Sequence, residues 1–473
     1  MLFFLIINIV IAKFNSETVK EKGERVIKYL EFNFQRNLTL NESMGPEIVF
    51  NNLFYNQIYI NIEVGSTKKI IPFYIYLQQY SFVIQSSNVN QDQVKGLYNE
   101  STSQTYEKLE EQFHFVGNDM SKGILSKETF HISNNINFPS FEFYLCKENN
   151  YKTHITEGGK IGLKLFRYIT ESEDTCLINN LKKNNIISYK VFLIKYNSNM
   201  MEEDKGKFIV GAYPHMYNGT YYKQEYYIND NGENFNNDRV EWIFNFDEIK
   251  IGENIIDKNT KIFFYPEIGF IIGNNNYFQY IKNLESWKWY FENDTRCYQK
   301  EFTIDDLEVK EFQQKLIGDY IGYYCYKDFE TEKLNISDIK LVKKGMNFSF
   351  NINIKDMWVK NGNYNYFMIV QRKRYYNTFW LLGKPFFKQY NMIFDYDNKQ
   401  IGLYTKISAD IDNNSFNNTF AIYIIIIVFL LVVIIGQIFA LIKCYINLPR
   451  KKRLNELLDD NYEYEKSTNI NDS

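Results

Sequence analysis

The chain has 473 residues, a formal net charge of −3 and 45% hydrophobic residues, enough apolar material for a large globular domain. So balanced a charge lacks the basic footprint of a nucleic-acid-binding protein, and no nucleic-acid partner is expected. With 39 Tyr and 40 Phe, the composition favours a β-rich fold.

Residues 2–12 form an apolar run followed by Lys13-Phe14-Asn15-Ser16. The run is too short to span a bilayer, and Ala12 is a small residue near a plausible cleavage point. Residues 1–16 therefore read as a secretory signal peptide, with a buried first strand as the alternative. Residues 17–50 are charged and irregular, and 26–34 (VIKYLEFNF) is their only strand-like run. That stretch is either an initial strand or the remnant of a pro-segment. From Asn56, NQIYINIEVGSTKKIIPFYIYLQQYSFVIQSS reads as two strands about a Gly65-Ser66 turn. Further on, 177–181 and 186–193 read as a helix and a strand. Residues 380–406 (WLLGKPFFKQYNMIFDYDNKQIGLYTK) read as strand, turn, strand. In them Met392, Phe394 and Tyr396 alternate with residues facing the other way, and Asp397-Asn398 supplies the turn.

A polar stalk, 407–419, precedes an apolar run at 420–442 in which only Gln437 is strongly polar. As a helix this run is roughly 35 Å long, enough to cross a bilayer. Lys443 and Arg450-Lys451-Lys452-Arg453 follow it, so 443–473 is expected to be cytosolic and the body lumenal or extracellular. The topology is that of a single-pass type I membrane protein of the secretory pathway or cell surface. Cys146, Cys176, Cys297 and Cys325 lie in the ectodomain, where an oxidising lumen should pair them, in any of three connectivities. Glycosylation sequons begin at Asn37, Asn41, Asn99, Asn218, Asn293, Asn335, Asn347, Asn413 and Asn417.

Several stretches share fixed spacings with one family. Leu382, Gly383, Phe386, Tyr390, Phe394, Asp395, Ile401 and Gly402 match the closing segment of pepsin-like aspartic peptidases, which this chain resembles. In the first half, 96–106 (GLYNESTSQTY), Gly123-Ile124-Leu125 with Glu128-Thr129-Phe130, and 159–163 (GKIGL) resemble that family's motifs. Later, 208–211 (FIVG) and Trp242-Ile243-Phe244 do so too. The resemblance runs from Asn56 to Lys406 and implies a mainly β, bilobal fold with a cleft between two antiparallel lobes. These lobes are expected at 51–220 and 221–406. It further implies a Cys297–Cys325 bridge, leaving Cys146 with Cys176.

The family's chemistry requires two carboxylates about 3 Å apart that share one proton, one per lobe. Here the first catalytic position is occupied by Gln78, and no carboxylate lies between Glu63 and Asp92. In the second lobe, anchored on Ile271-Ile272-Gly273, the position is Tyr265, and Glu267 stands where the loop Gly belongs. Val116 takes the place of the flap Tyr. An amide cannot act as the base, and a phenol of pKa about 10 is a poor one for acid proteolysis. His114, His131, His154 and His215 are scattered without metal-site spacing, so neither a metal nor a cofactor is expected. The expectation is a membrane-anchored pseudoprotease that binds an extended peptide or a protein, or fills its cleft with its own side chains. The alternatives are an aspartic endopeptidase using Glu267, and a structural surface glycoprotein.

Overall fold

Alternating apolar and polar residues in LEFNFQR and IYINIEV produce strands Leu30–Arg36 and Ile58–Val64. Their inward residues, Leu30, Phe32 and Phe34 with Ile58, Ile60, Ile62 and Val64, are buried in the main core. In the computed structural model of the chain, the described residues are 18–20, 26–36, 40–54, 58–77, 79–87, 98–116, 121–133, 136–148, 158–165, 172–197, 205–217, 223–228, 242–304, 318–346, 349–373 and 379–405, with scattered positions between 436 and 458. Residues 1–405 make one unit and 406–473 another. In the second, the described residues, among them Gly436, Gln437, Ile438, Ile442 and Lys443, are helical. The predicted signal peptide and stalk lie outside the described residues, as does nearly all of the predicted span at 420–442. Among the described residues no helix is long and apolar enough to cross a membrane.

The first unit is mainly β. One sheet has 13 strands, with Lys223–Ile228 at one edge and Glu107–Val116 at the other. An 11-stranded sheet draws all its strands from Ile243 to Arg372 and from Trp380–Leu382. The C-terminal hairpin, Asn391–Asp395 with Gln400–Thr405, joins the larger sheet by pairing with Val191–Tyr196. Sheet membership therefore does not follow position along the chain.

Both sheets contain the same local arrangement. In the larger, Ile58–Val64 and Lys69–Tyr76 are antiparallel, and Gly159–Gly162 lies parallel to Lys69–Tyr76. Gly159–Gly162 also pairs antiparallel with Val83–Gln85, which runs parallel to Ile136–Glu148. In the smaller, Ile243–Ile251 and Asn254–Phe264 are antiparallel, and Trp380–Leu382 lies parallel to the latter. Trp380–Leu382 then pairs antiparallel with Ile271–Gly273, which runs parallel to Ile369–Arg372. The main apolar core draws on both sheets. Within it the buried indole of Trp242 packs against Phe192 and Phe394 and donates from Nε1 to the Leu163 carbonyl at 3.0 Å.

Cys297 and Cys325 face each other across the pair Cys297–Ile304 and Gly318–Tyr326 and are joined, with an S–S length of 2.04 Å. The expected Cys146–Cys176 bridge does not form. Cys146, on Ile136–Glu148, packs with Val83, Leu125 and Tyr144, whereas Cys176 leads into helix Leu177–Lys183 inside the main core. The two side chains are buried in separate clusters, and a disulfide needs its Cβ atoms about 3.8 Å apart and facing each other.

Candidate functional site

Strand Asn254–Phe264 runs into a short loop, residues 265–270, before Ile271–Gly273 begins. Tyr265 opens that loop. Its N–H donates to the Leu382 carbonyl at 2.9 Å, and its carbonyl accepts from the Ile268 N–H at 3.0 Å. Gly383 allows the neighbouring strand to pass close to this loop, since a Cβ there would collide with the carbonyls of Ile268 and Phe270. The Tyr265 side chain is 1% exposed and belongs to an apolar cluster with Phe54, Ile268, Phe270 and Phe302. Glu267 is half-buried, its two carboxylate oxygens shielded from solvent.

The counterpart loop follows Lys69–Tyr76 and ends at Val83–Gln85. Gln78 lies outside the described residues. Buried Gln79 donates from Nε2 to the Ser81 carbonyl at 3.1 Å, and Thr175 Oγ1 donates to Ser81 Oγ at 3.0 Å. Backbone bonds from Leu163 N to the Tyr76 carbonyl and from Lys164 N to the Gln79 carbonyl, both 2.8 Å, hold the loop against the adjoining strand. Gly162 is the close-approach residue here, because a Cβ would strike the Tyr80 backbone.

The ladder registers allow the two loops to be superposed residue by residue. Gly162 and Gly383 play the same part, each closing a strand against its loop. Ile161, before Gly162, pairs with Ile75, and Leu382, before Gly383, pairs with Phe264. The residue that corresponds to Tyr265 is therefore Tyr76. The antiparallel partners agree, since Lys160 faces Val83 while Leu381 faces Ile272, which keeps the same spacing from each tyrosine. Tyr76 stands two residues ahead of Gln78. It is half-buried, with its hydroxyl shielded from solvent and the Lys160 amine 5.8 Å from its ring centroid.

Around this loop the polar residues are engaged structurally. Buried Glu128 accepts from the Tyr98 hydroxyl at 2.5 Å, from the Thr129 N–H at 2.7 Å and from Thr105. Burial, with the Glu128 carboxylate beside it, pushes the Tyr98 phenol well above its ordinary range. Val116 ends strand Glu107–Val116 opposite Ser121 in the hairpin read as the flap. In the same strand His114 Nε2 lies 2.5 Å from Glu110. Among the described residues no group of three or more His, Cys, Asp or Glu side chains could hold a metal ion. Of the sequon residues, Asn41, Asn293 and Asn335 are exposed. Asn99 is half-buried and accepts from the N–H of Ser101 at 3.1 Å and from its hydroxyl at 2.7 Å. Asn37, Asn218, Asn347, Asn413 and Asn417 lie outside the described residues.

One element beside Tyr265 was not anticipated. Residues 46–54 form a helix, α1 (Pro46–Phe54), whose Val49, Phe50, Leu53 and Phe54 are buried in the Tyr265 cluster. The signal was present in the chain: Pro46 at the first helical turn, Glu47 behind it, and apolar residues at helical spacing. The Phe54 carbonyl accepts the N–H of Gly269, inside the Tyr265 loop, at 2.8 Å.

No curated protein matches the chain. Residues 61–269 match the family model for eukaryotic aspartyl protease, a stretch that takes in the first loop and the second as far as Gly269. With the paired-loop arrangement, this match supports the pepsin-like aspartic peptidase family for the chain.

Proposed function

We propose that the protein is a non-proteolytic, membrane-anchored member of this family that serves as a protein-binding scaffold or receptor at the cell surface or in a secretory compartment. In this reading the two sheets are the two lobes, with a cleft between them, and 420–442 is the single span. The signal peptide, stalk and cytosolic tail follow as read from the sequence. The observation that carries the loss of proteolysis is Tyr265, 1% exposed in an apolar cluster where the second catalytic carboxylate belongs. Acid proteolysis depends on two carboxylates sharing a proton and activating a water. A sealed phenol offers neither the negative charge nor room for that water. The register adds Tyr76 as a second phenol at the matching position of the first loop. Packing of α1 over the Tyr265 loop favours a scaffold over a receptor for extended peptides.

The test is peptide cleavage by the full-length chain in detergent, using a mixed-sequence peptide pool from about pH 3 to 7, where carboxylate dyads titrate. No new fragments are expected. Fragments that vanish in Glu267→Ala would sink this reading and move the active site to Glu267.

A further inference from the structure

We infer that strand Leu30–Arg36 and helix α1 are permanent parts of the fold, and that α1 is the resident occupant of the smaller sheet's face at Tyr265, closing that face to any peptide or protein ligand. This follows from taking Tyr265 as the lost catalytic position, as proposed above. Two independent attachments hold the segment. Strand Leu30–Arg36 is an interior strand of the larger sheet: Leu30 to Phe34 pair with Val210 to Gly206, while Gln35 and Arg36 pair with Tyr59 and Ile58. Removing it would leave two unpaired edges in the middle of that sheet. The second attachment is α1 itself. Val49, Phe50, Leu53 and Phe54 are between 0 and 2% exposed. The Phe50 ring stacks on Phe302 at 5.2 Å and meets Tyr366 edge-on at 5.3 Å, while Phe54 lies 5.3 Å from Tyr320. Gly322 makes room for this contact, because a Cβ there would collide with the Phe50 ring.

Backbone and charge complete the seal. The Phe54 carbonyl is bonded to Gly269, within the loop that Tyr265 opens, so α1 and that loop are held as one piece. Glu47 pairs with Lys300 at 2.8 Å on the outer side of the helix, and Ile48, 53% exposed, faces away from the cluster. A ligand entering this face would have to lift the helix and expose four aromatic or aliphatic side chains together. The face is already filled by the chain.

The experiment uses the full-length chain in detergent, with a recognition site for a sequence-specific protease inserted between Phe54 and Ile58. After cutting, the N-terminal fragment is expected to co-elute with the remainder, and binding of an apolar fluorescent dye should not rise. In Phe50→Ala/Phe54→Ala dye binding should rise, and in Ile48→Ala it should not. Release of the fragment from a cut chain that stays folded would overturn the inference. So would unchanged dye binding in the double variant. N-terminal sequencing of the wild-type protein from expressing cells needs no inserted site. It should find a start upstream of Val26, and a start between 37 and 57 would refute permanence. Peptide cleavage is read in parallel. Release without cleavage overturns the resident helix alone, whereas cleavage without release overturns the non-proteolytic reading alone.

Discussion

Restoring a carboxylate by Tyr265→Asp probes the geometry on which the loss of activity rests. The ring is 1% exposed among Phe54, Ile268, Phe270 and Phe302. Removing an aromatic ring from such packing costs about 3–5 kcal/mol. A carboxyl group left in the apolar space adds about 1–3 kcal/mol. The total, roughly 4–8 kcal/mol, is a large part of the 5–15 kcal/mol typical of a native protein. The penalty should also depend on pH. Apolar burial raises the pKa of an Asp above its ordinary value of about 3.9, so the folded variant holds its proton more tightly than the unfolded chain. The loss relative to wild type is then smallest below about pH 4 and grows as pH rises through the folded pKa. Urea unfolding at acidic and neutral pH, with Tyr265→Phe as the ring-retaining comparator, measures both effects. Tyr265→Phe should fall within about 1.5 kcal/mol of wild type. A Tyr265→Asp protein within about 1 kcal/mol of wild type at neutral pH would refute a sealed apolar site, because the expected loss is several times larger.

Other outcomes follow from the same structure. Replacing Cys297 and Cys325 by Ser should cost about 3.6 kcal/mol in the chain-entropy model, for a bridge that closes a sequence separation of 28. Peptide mapping of the native protein should find those two joined and no peptide linking Cys146 to Cys176. Burial pushes the Cys176 thiol up to about 11, so alkylation there at neutral pH should wait for unfolding. At alkaline pH, burial holds the phenols of Tyr277, Tyr320 and Tyr323 above their ordinary range and pushes Tyr366 up to about 12. The unfolded chain releases these protons near pH 10, so their contribution is intact below about pH 10 and is lost as pH rises beyond it. Each group steepens the fall by at most about 1.4 kcal/mol per pH unit. Tyrosinate absorbance tracked with unfolding should show these residues ionising only as the fold is lost, and free titration near pH 10 in a folded chain would contradict their burial.

Local patterns in the chain were enough for some of the strands, Leu30–Arg36, Ile58–Val64 and the C-terminal hairpin among them. The C-terminal hairpin was legible because its determinants are neighbours: Met392 and Phe394 point inward, and the turn is held by Asp395, which accepts from the Asn398 N–H at 3.0 Å and from its side-chain amide at 2.8 Å. Spacing of cysteines was not enough, since Cys146 and Cys176 differ in which cluster buries them, and only packing decides that. The first-loop position shows the limit most clearly. Side chains two apart on a strand share a face, so alternation along YIYLQQ cannot separate residue 76 from residue 78. Pairing of Ile161 with Ile75 separates them. Composition and alternation by themselves determined that this is a β-rich chain with no carboxylate in its first loop, and its motif spacings resemble the pepsin-like pattern. Only the tertiary structure decided which residues stand opposite each other, and that α1 lies against Tyr265, because those contacts join segments far apart in the chain that no local pattern relates.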